Sequence, residues 1–254
     1  MNKDDVSILF SGGSDSTLAA ALMCKQFQKV HLLTLVHSGI LRTKKSQINA
    51  NRLKEVFGKD KVVHKFINIE EIFKTLYYGT YMRDLVQYGL YLAAGLCHTC
   101  QVAMHTATIK YNLENDIGFA CDGYKREKSH IFVFMAKKGI KQTRDFYREF
   151  NIEYDNPVYD VLRTDWELFD MGIASQRNVK FPFERDTYSF STQPHCTHGI
   201  LLNAYLLGYH YYLHRRIDDQ PPGIRYHKEK ISVAKKYIHD QLHQRASSHG
   251  AGIR

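Results

Sequence analysis

The hexapeptide Ser11-Gly12-Gly13-Ser14-Asp15-Ser16 constrains this chain more than any other feature, because it separates a short apolar run from a helical pattern. Val6-Ser7-Ile8-Leu9-Phe10 is compatible with a buried parallel strand, and Thr17 to Phe27, with Leu18, Ala21 and Leu22, reads as a helix. A strand, a glycine turn and a helix in that order gather backbone amides and a helix N-terminus at one place, which suits a pyrophosphate group. Gly12 and Gly13 permit positive φ and let the backbone approach an anion closely. Ser11, Ser14 and Ser16 add hydroxyls, and Asp15 is placed to hold Mg2+, which spreads the charge of a leaving pyrophosphate. The competing reading is a serine-rich turn with an ordinary helix cap. No G-x-x-x-x-G-K-[ST] pattern occurs, so a Walker-type site is not indicated.

The rest of the chain extends the same theme. Val30 to Val36 is a second strand, Lys61 to Ile69 a third and Ile117 to Cys121 a fourth. Helical patterns over Lys45 to Phe57, closed by Gly58, and over Gln101 to Tyr111 lie between them. This alternation predicts an α/β fold, a doubly wound parallel sheet with its ligand site at the carboxyl ends of the strands. From Asn151 the texture changes, and 157–190 is rich in charged and aromatic residues. Leu201 to Arg216 reads as an apolar-aromatic packing helix carrying His210 and His214 on one face, and Lys228 to Gln244 as a basic helix. The expected organisation is an α/β domain over 1–162, an appended mainly helical part over 163–245 that contributes Cys196, and a disordered tail over 246–254.

At 254 residues the chain can bury a substantial core, and no apolar run approaches the roughly 18–20 residues that span a bilayer. The start does not resemble a secretory signal, so a cytoplasmic enzyme without membrane contact is expected. A net charge of +9 attracts polyanions, with tRNA the leading candidate and a merely solvated basic surface the alternative. Five cysteines, an odd number, do not form a secreted disulfide scaffold, which leaves metal ligands, nucleophiles or buried apolar residues.

The S-G-G-S-D-S loop and its flanks resemble the N-type ATP pyrophosphatase (PP-loop) superfamily, of the adenine nucleotide alpha hydrolase-like class, over Val6 to about Leu162. The resemblance implies that ATP is cleaved between its α- and β-phosphates. A substrate oxygen becomes adenylated, and a nitrogen or sulfur nucleophile then displaces AMP. It gives Asp15 and Ser16 catalytic roles within the loop and places adenine against the end of the second strand, at Leu35, Val36 and His37. His37 reads equally as a strand-end surface histidine. Lys125 and Arg126, in Asp122-Gly123-Tyr124-Lys125-Arg126 after the fourth strand, are candidates to neutralise phosphate or an oxyanion, against the alternative of a solvated basic turn. Tyr188 to Thr192 is a candidate pocket wall, and Asp165-Trp166-Glu167 supports the fold.

Cys97-His98-Thr99-Cys100 puts two thiols on one helical turn, able to hold one metal or cluster, and Cys196 is the natural third. The chain is similar to the iron–sulfur-dependent tRNA thiolation branch of the superfamily, in which three cysteines hold a 4Fe-4S cluster whose fourth iron binds the attacking sulfide. That likeness implies Cys97, Cys100 and Cys196 as metal ligands, a sulfur donor, and a homodimer. Buried apolar thiols, a structural zinc with His98, His195 or His198, and a redox or persulfide-carrying pair stay open as alternatives. The branch commonly carries Gly-His after the fourth strand where Asp122-Gly123 stands here, so tRNA, a free base or a small carboxylic acid all remain candidate substrates. The alternatives to sulfur transfer are nitrogen transfer of the 7-cyano-7-deazaguanine synthase type, with zinc, and a non-catalytic module that senses ATP or AMP.

Overall fold

A computed structural model describes residues 1–89, 92–126, 133–174, 194–197 and 221–250. Strand β1 (Asn2–Leu9) leads into helix α1 (Ser14–Gln26), and β2 (Lys29–Val36) returns parallel to β1, with Ile8 opposite Leu32. A short β3 (Ile40–Leu41) leaves the end of β2, followed by α2 (Ser46–Phe57) and β4 (Val62–Asn68), which joins the outer edge of β2. Helices α3 (Glu70–Tyr77), α4 (Tyr81–Tyr88) and α5 (Leu92–Asn115) carry the chain across the sheet to β5 (Ile117–Cys121). Then come α6 (Lys137–Arg148), β6 (Glu153–Asp155), α7 (Thr164–Asp170), β7 (His195–Cys196) and α8 (Pro221–Gly250).

The main sheet is parallel with strand order β4-β2-β1-β5-β6. The chain winds outward from β1 in one direction through β2 and β4, then in the other through β5 and β6. The order therefore reverses at β1, and the crevice beyond its carboxyl end is where such sheets take ligands. Val6, Ser7 and Ile8 are all buried, as a strand covered on both faces must be. Helices α1, α2 and α7 cover one face around Leu18, Leu53 and Leu168. Helices α3, α5, α6 and α8 cover the other around Phe73, Val102, Phe146 and Ile231.

The expected doubly wound sheet is present, and the differences lie at its margins. Strand β1 starts at Asn2, because the Asn2 amide donates to the Asp116 carbonyl although Lys3-Asp4-Asp5 carries no apolar signal. Helix α5 begins at Leu92, well before Gln101, so Cys97 and Cys100 ride on the same helix as Gln101. Helix α8 adds Tyr226, Ile231, Ala234 and Ile238 to the buried interior and continues through position 246, the expected start of a disordered tail. The expected helix over Leu201 to Arg216 and the wall over Tyr188 to Thr192 lie outside the described residues. Among the described residues no helix is long and apolar enough to cross a membrane.

Candidate active site

The glycine loop forms as its sequence demands. Gly12 takes φ of +77°, a value that glycine adopts without strain, and its carbonyl accepts from Asn49 Nδ2 at 2.8 Å. Gly13 is the N-cap of α1, and no side chain caps the helix there. The serines hold the loop's shape. Ser11 Oγ lies 3.1 Å from Ser16 Oγ and accepts from the Gly13 amide at 3.3 Å, while Ser16 Oγ and Thr17 Oγ1 donate to the Gly13 carbonyl. Thr34 of β2 fixes the approach by donating to the Phe10 carbonyl at 2.8 Å.

A cleft of about 270 Å³ opens over this loop. Ser11 and Gly13 to Ser16 form its floor, Leu33 to Leu35 one side, Gln101 and Met104 of α5 another, and Asp122 to Tyr124 a third. Asp15 is held from two directions. Thr164, at the start of α7, donates to its Oδ1 at 2.9 Å, and Lys125 Nζ stands 3.8 Å from the same oxygen while donating to the Leu162 carbonyl at 3.3 Å. Arg126 instead pairs with exposed Asp160 at 2.6 Å and does not line the cleft.

Asp122, the first residue beyond β5, is buried and lines the cleft. Its Oδ1 accepts from the Tyr124 amide at 2.9 Å and from Asn156 Nδ2 at 2.6 Å, and its Oδ2 accepts from the Tyr154 hydroxyl. Burial pushes its carboxyl up to about 7, against the opposing pull of these donors.

At the end of β2, Leu35 lines the cleft, whereas Val36 and His37 do not. The His37 ring stacks on Phe73 at 5.0 Å and accepts the Gly39 amide at Nδ1, which leaves Nε2 as the protonated nitrogen, 3.4 Å from Cys100 Sγ. His37 is thus neither a surface residue nor part of the cleft wall; it is buried against a thiol.

Cys196 reaches the same place by a long-range pairing. Strand β7 lies antiparallel to β3, with Cys196 opposite Ile40, and the Thr197 amide donates to the Gly39 carbonyl at 3.1 Å. The pairing puts Cys196 in the cleft wall, across from the glycine loop. Burial first, and then the charge of Cys196, pushes the Cys97 thiol up to about 12; burial, Cys196 and Cys97 push the Cys100 thiol up as well. The three cysteines are therefore close enough to feel one another. Yet among the described residues no three His, Cys, Asp or Glu side chains stand as a metal would require. His98 packs edge-on against Phe134, Tyr226 and His227. The side chain of His195 and all of His198 lie outside the described residues.

Sequence reasoning did not assign roles to Thr164, Asp122 or Gln101. An Asp-Gly pair directly after a buried strand was the one signal for Asp122, since polar groups at that end of a parallel sheet face the ligand crevice.

The chain thus forms a doubly wound parallel sheet with its S-G-G-S-D-S loop where the strand order reverses, followed by a helical C-terminal part. No protein-family model matches the chain, and no curated protein matches it. Among solved structures, a predicted subunit of tRNA methyltransferase from Methanocaldococcus jannaschii is similar over 61% of this chain and 67% of its own, at 22% identity and a TM-score of 0.39. NMN synthetase from Francisella tularensis is similar over 91% of this chain and 84% of its own, at 12% identity and a TM-score of 0.43. Glutamine-dependent NAD+ synthetase from Acinetobacter baumannii, solved with ADP, is similar over 93% of this chain at 14% identity and a TM-score of 0.43, and this chain spans 40% of its length. At TM-scores below 0.5 these likenesses carry no argument about this chain.

Proposed function

We propose that the chain is an ATP-dependent enzyme that adenylates a substrate carbonyl oxygen, releases pyrophosphate and replaces that oxygen with sulfur. The observation that carries this reading is Cys196 in the wall of the cleft whose floor is the uncapped start of α1. ATP lays its β- and γ-phosphates on the loop amides, and the substrate oxygen attacks the α-phosphorus as the bond to pyrophosphate breaks. Asp15 supplies the oxygen ligand that Mg2+ favours, and the ion would neutralise charge on the departing diphosphate. Lys125, close to Asp15, offsets negative charge on that side of the cleft.

Three neighbouring thiols support a sulfur-transfer site over a nucleotide sensor. With Cys100 hydrogen-bonded to His37, the thiols do not stand, among the described residues, as the cluster ligand set that the family resemblance implies. The arrangement favours thiol carriage. A persulfide on Cys196, charged by an external persulfide donor, adds its outer sulfur to the activated carbon as AMP leaves with the oxygen. Cys97 then attacks the Cys196 sulfur, forming a disulfide and releasing the thiocarbonyl product, and two external thiols reduce the disulfide, leaving as their own disulfide. A net charge of +9 favours a substrate carried on RNA.

The test compares two variants. Asp15→Ala should abolish pyrophosphate release, while Cys196→Ser should keep it and lose transfer of label from a radioactive sulfur donor. Loss of both activities in both variants would sink the two-part site.

A further inference from the structure

Asn49 is 6% exposed and lies on the buried face of α2 beside Ala50 and Leu53, where a polar side chain needs a partner. Its amide has one orientation that fits its neighbours. Arg52 Nη1 donates to Asn49 Oδ1 at 3.0 Å, and a guanidinium cannot accept, so the amide nitrogen faces the other way. Asn49 Nδ2 donates to the Gly12 carbonyl at 2.8 Å, across 37 positions of sequence. Helix α2 is itself tied to the chain that enters the loop. Thr34 Oγ1, which donates to the Phe10 carbonyl, lies 3.1 Å from Ser46 Oγ in the first turn of α2. Asn49 therefore reaches Gly12 from a fixed base.

The hydrogen bond matters because of what stands at the far end of the same peptide. In a trans peptide the carbonyl and the following N–H point in opposite directions. With the Gly12 oxygen drawn toward α2, the Gly13 N–H is turned to Ser11 Oγ, 3.3 Å away on the cleft floor. Rotating this peptide by half a turn would reverse both groups and present a carbonyl oxygen to the phosphates. The rotation carries φ of Gly13 from −75° into positive values and alters the turn at Gly12, whose φ is already +77°. Glycine adopts these values without steric penalty. The Gly12-Gly13 pair that lets the backbone approach an anion therefore also lets it turn the wrong way. A donor fixed on the Gly12 oxygen selects between the two states.

We propose that Asn49 is a positioning residue for the pyrophosphate of ATP. Its amide holds the Gly12–Gly13 peptide in the orientation that aims the Gly13 N–H at the anion, and Arg52 holds that amide in turn. Asn49 acts through the loop and makes the loop's flexibility compatible with tight phosphate binding. The assignment rests on the reading above in which the β- and γ-phosphates lie on the loop amides.

The test is calorimetric titration of the full chain with MgATP, with AMP measured by competition. Asn49→Leu keeps the approximate volume of the side chain, removes the donor and adds no charge. It should bind MgATP at least about tenfold more weakly, as the loss of a donor to a buried carbonyl implies. Its affinity for AMP, which lacks the phosphates that the loop holds, should stay within about twofold of the wild type. A merely structural role would lower both affinities together. Asn49→Ala, which leaves room for a water to bridge to the carbonyl, should give a smaller loss of the same kind and carries the test if Asn49→Leu does not fold. The proposal is overturned if the folded variant binds MgATP as the wild type does, or if AMP is weakened as much as MgATP. A wild type that binds MgATP no more tightly than AMP would instead remove the reading beneath it, because the loop would then hold no pyrophosphate.

Discussion

A Cβ at position 123 would lie 2.6 Å from the backbone nitrogen of Ser16. The turn after β5 thus rests directly on the first turn of α1, and the amides of the glycine loop are backed by a residue more than a hundred positions away. Gly123→Ala cannot be accommodated by a moving side chain, because the atoms it meets are backbone atoms of Asp15 and Ser16. We expect this variant to fold with a loss of about 1–3 kcal/mol, the usual cost of overpacking. It should bind MgATP at least about tenfold more weakly, because the amides must shift. Calorimetric titration checks this, and wild-type affinity in a folded variant would contradict the amide cradle.

Thr164 lies 149 positions from Asp15 in sequence and donates to it at 2.9 Å. Thr164→Val removes that hydrogen bond while keeping the side chain's shape. Groups that orient a metal ligand typically contribute about 10–100-fold in metal affinity or activity. Pyrophosphate release by Thr164→Val should therefore need more Mg2+, with the half-saturating concentration raised about tenfold or more. An unchanged Mg2+ titration would place the ion elsewhere.

Asp122 gives a pH signature whose sign can be worked out. The folded protein holds the Asp122 proton up to about pH 7, whereas an unfolded chain releases it near pH 3.9. Between those values the unfolded state binds fewer protons, so this group makes stability fall as pH rises, and the effect levels off above pH 7. His98 and His105, held down to about 3, and His227, held down to about 4, act oppositely, since the unfolded chain gains their protons as pH falls below about 6.5. The useful quantity is therefore wild-type stability minus that of Asp122→Asn. It should fall by on the order of 1.4 kcal/mol per pH unit inside the window. Urea midpoints across the range measure it, and a flat difference would show that Asp122 is ionised throughout.

These relationships divide into those written locally and those made by folding. The loop, β1 and α1 were legible because a glycine turn between an apolar run and a helical pattern lies within a few residues. The alternation of strands and helices was legible for the same reason. Asp122 with Tyr154, Thr164 with Asp15, and Thr197 with Gly39 join segments 32, 149 and 158 positions apart, and no periodicity encodes them. Cys196 was expected near the other thiols from the family resemblance, but the β3–β7 pairing alone puts it in the cleft wall. His37 reads as a strand-end residue, and only the packing of α3 and α5 reveals its place between Phe73 and Cys100.

Lys230 is the most deeply buried cation described, and it pins α8 to the core from which the thiol-bearing helix projects. Its Nζ donates to the Leu76 carbonyl at 2.6 Å, to Thr80 Oγ1, and to Asp84 Oδ2 at 2.5 Å, and both charged side chains are about 1% exposed. An ion pair so enclosed contributes little net stability, because the attraction is offset by the loss of hydration; removing Asp84 leaves the Lys230 charge buried and alone, whereas removing Lys230 leaves Asp84 with half-exposed Arg83, which donates to its Oδ1 at 3.0 Å. Asp84→Leu should cost about 3–5 kcal/mol, and Lys230→Met less, because Arg83 still pairs with Asp84. The double variant should recover most of that loss, since an apolar pair replaces the ionic one. Because α8 packs on α5 as well as on α3, the single variants should also expose Cys97 to alkylation sooner than the double variant does. Urea denaturation of all four proteins, with the rate of thiol labelling followed in parallel, decides the matter: additive losses in the double variant would mean that Lys230 and Asp84 are held by their separate neighbours and not by each other.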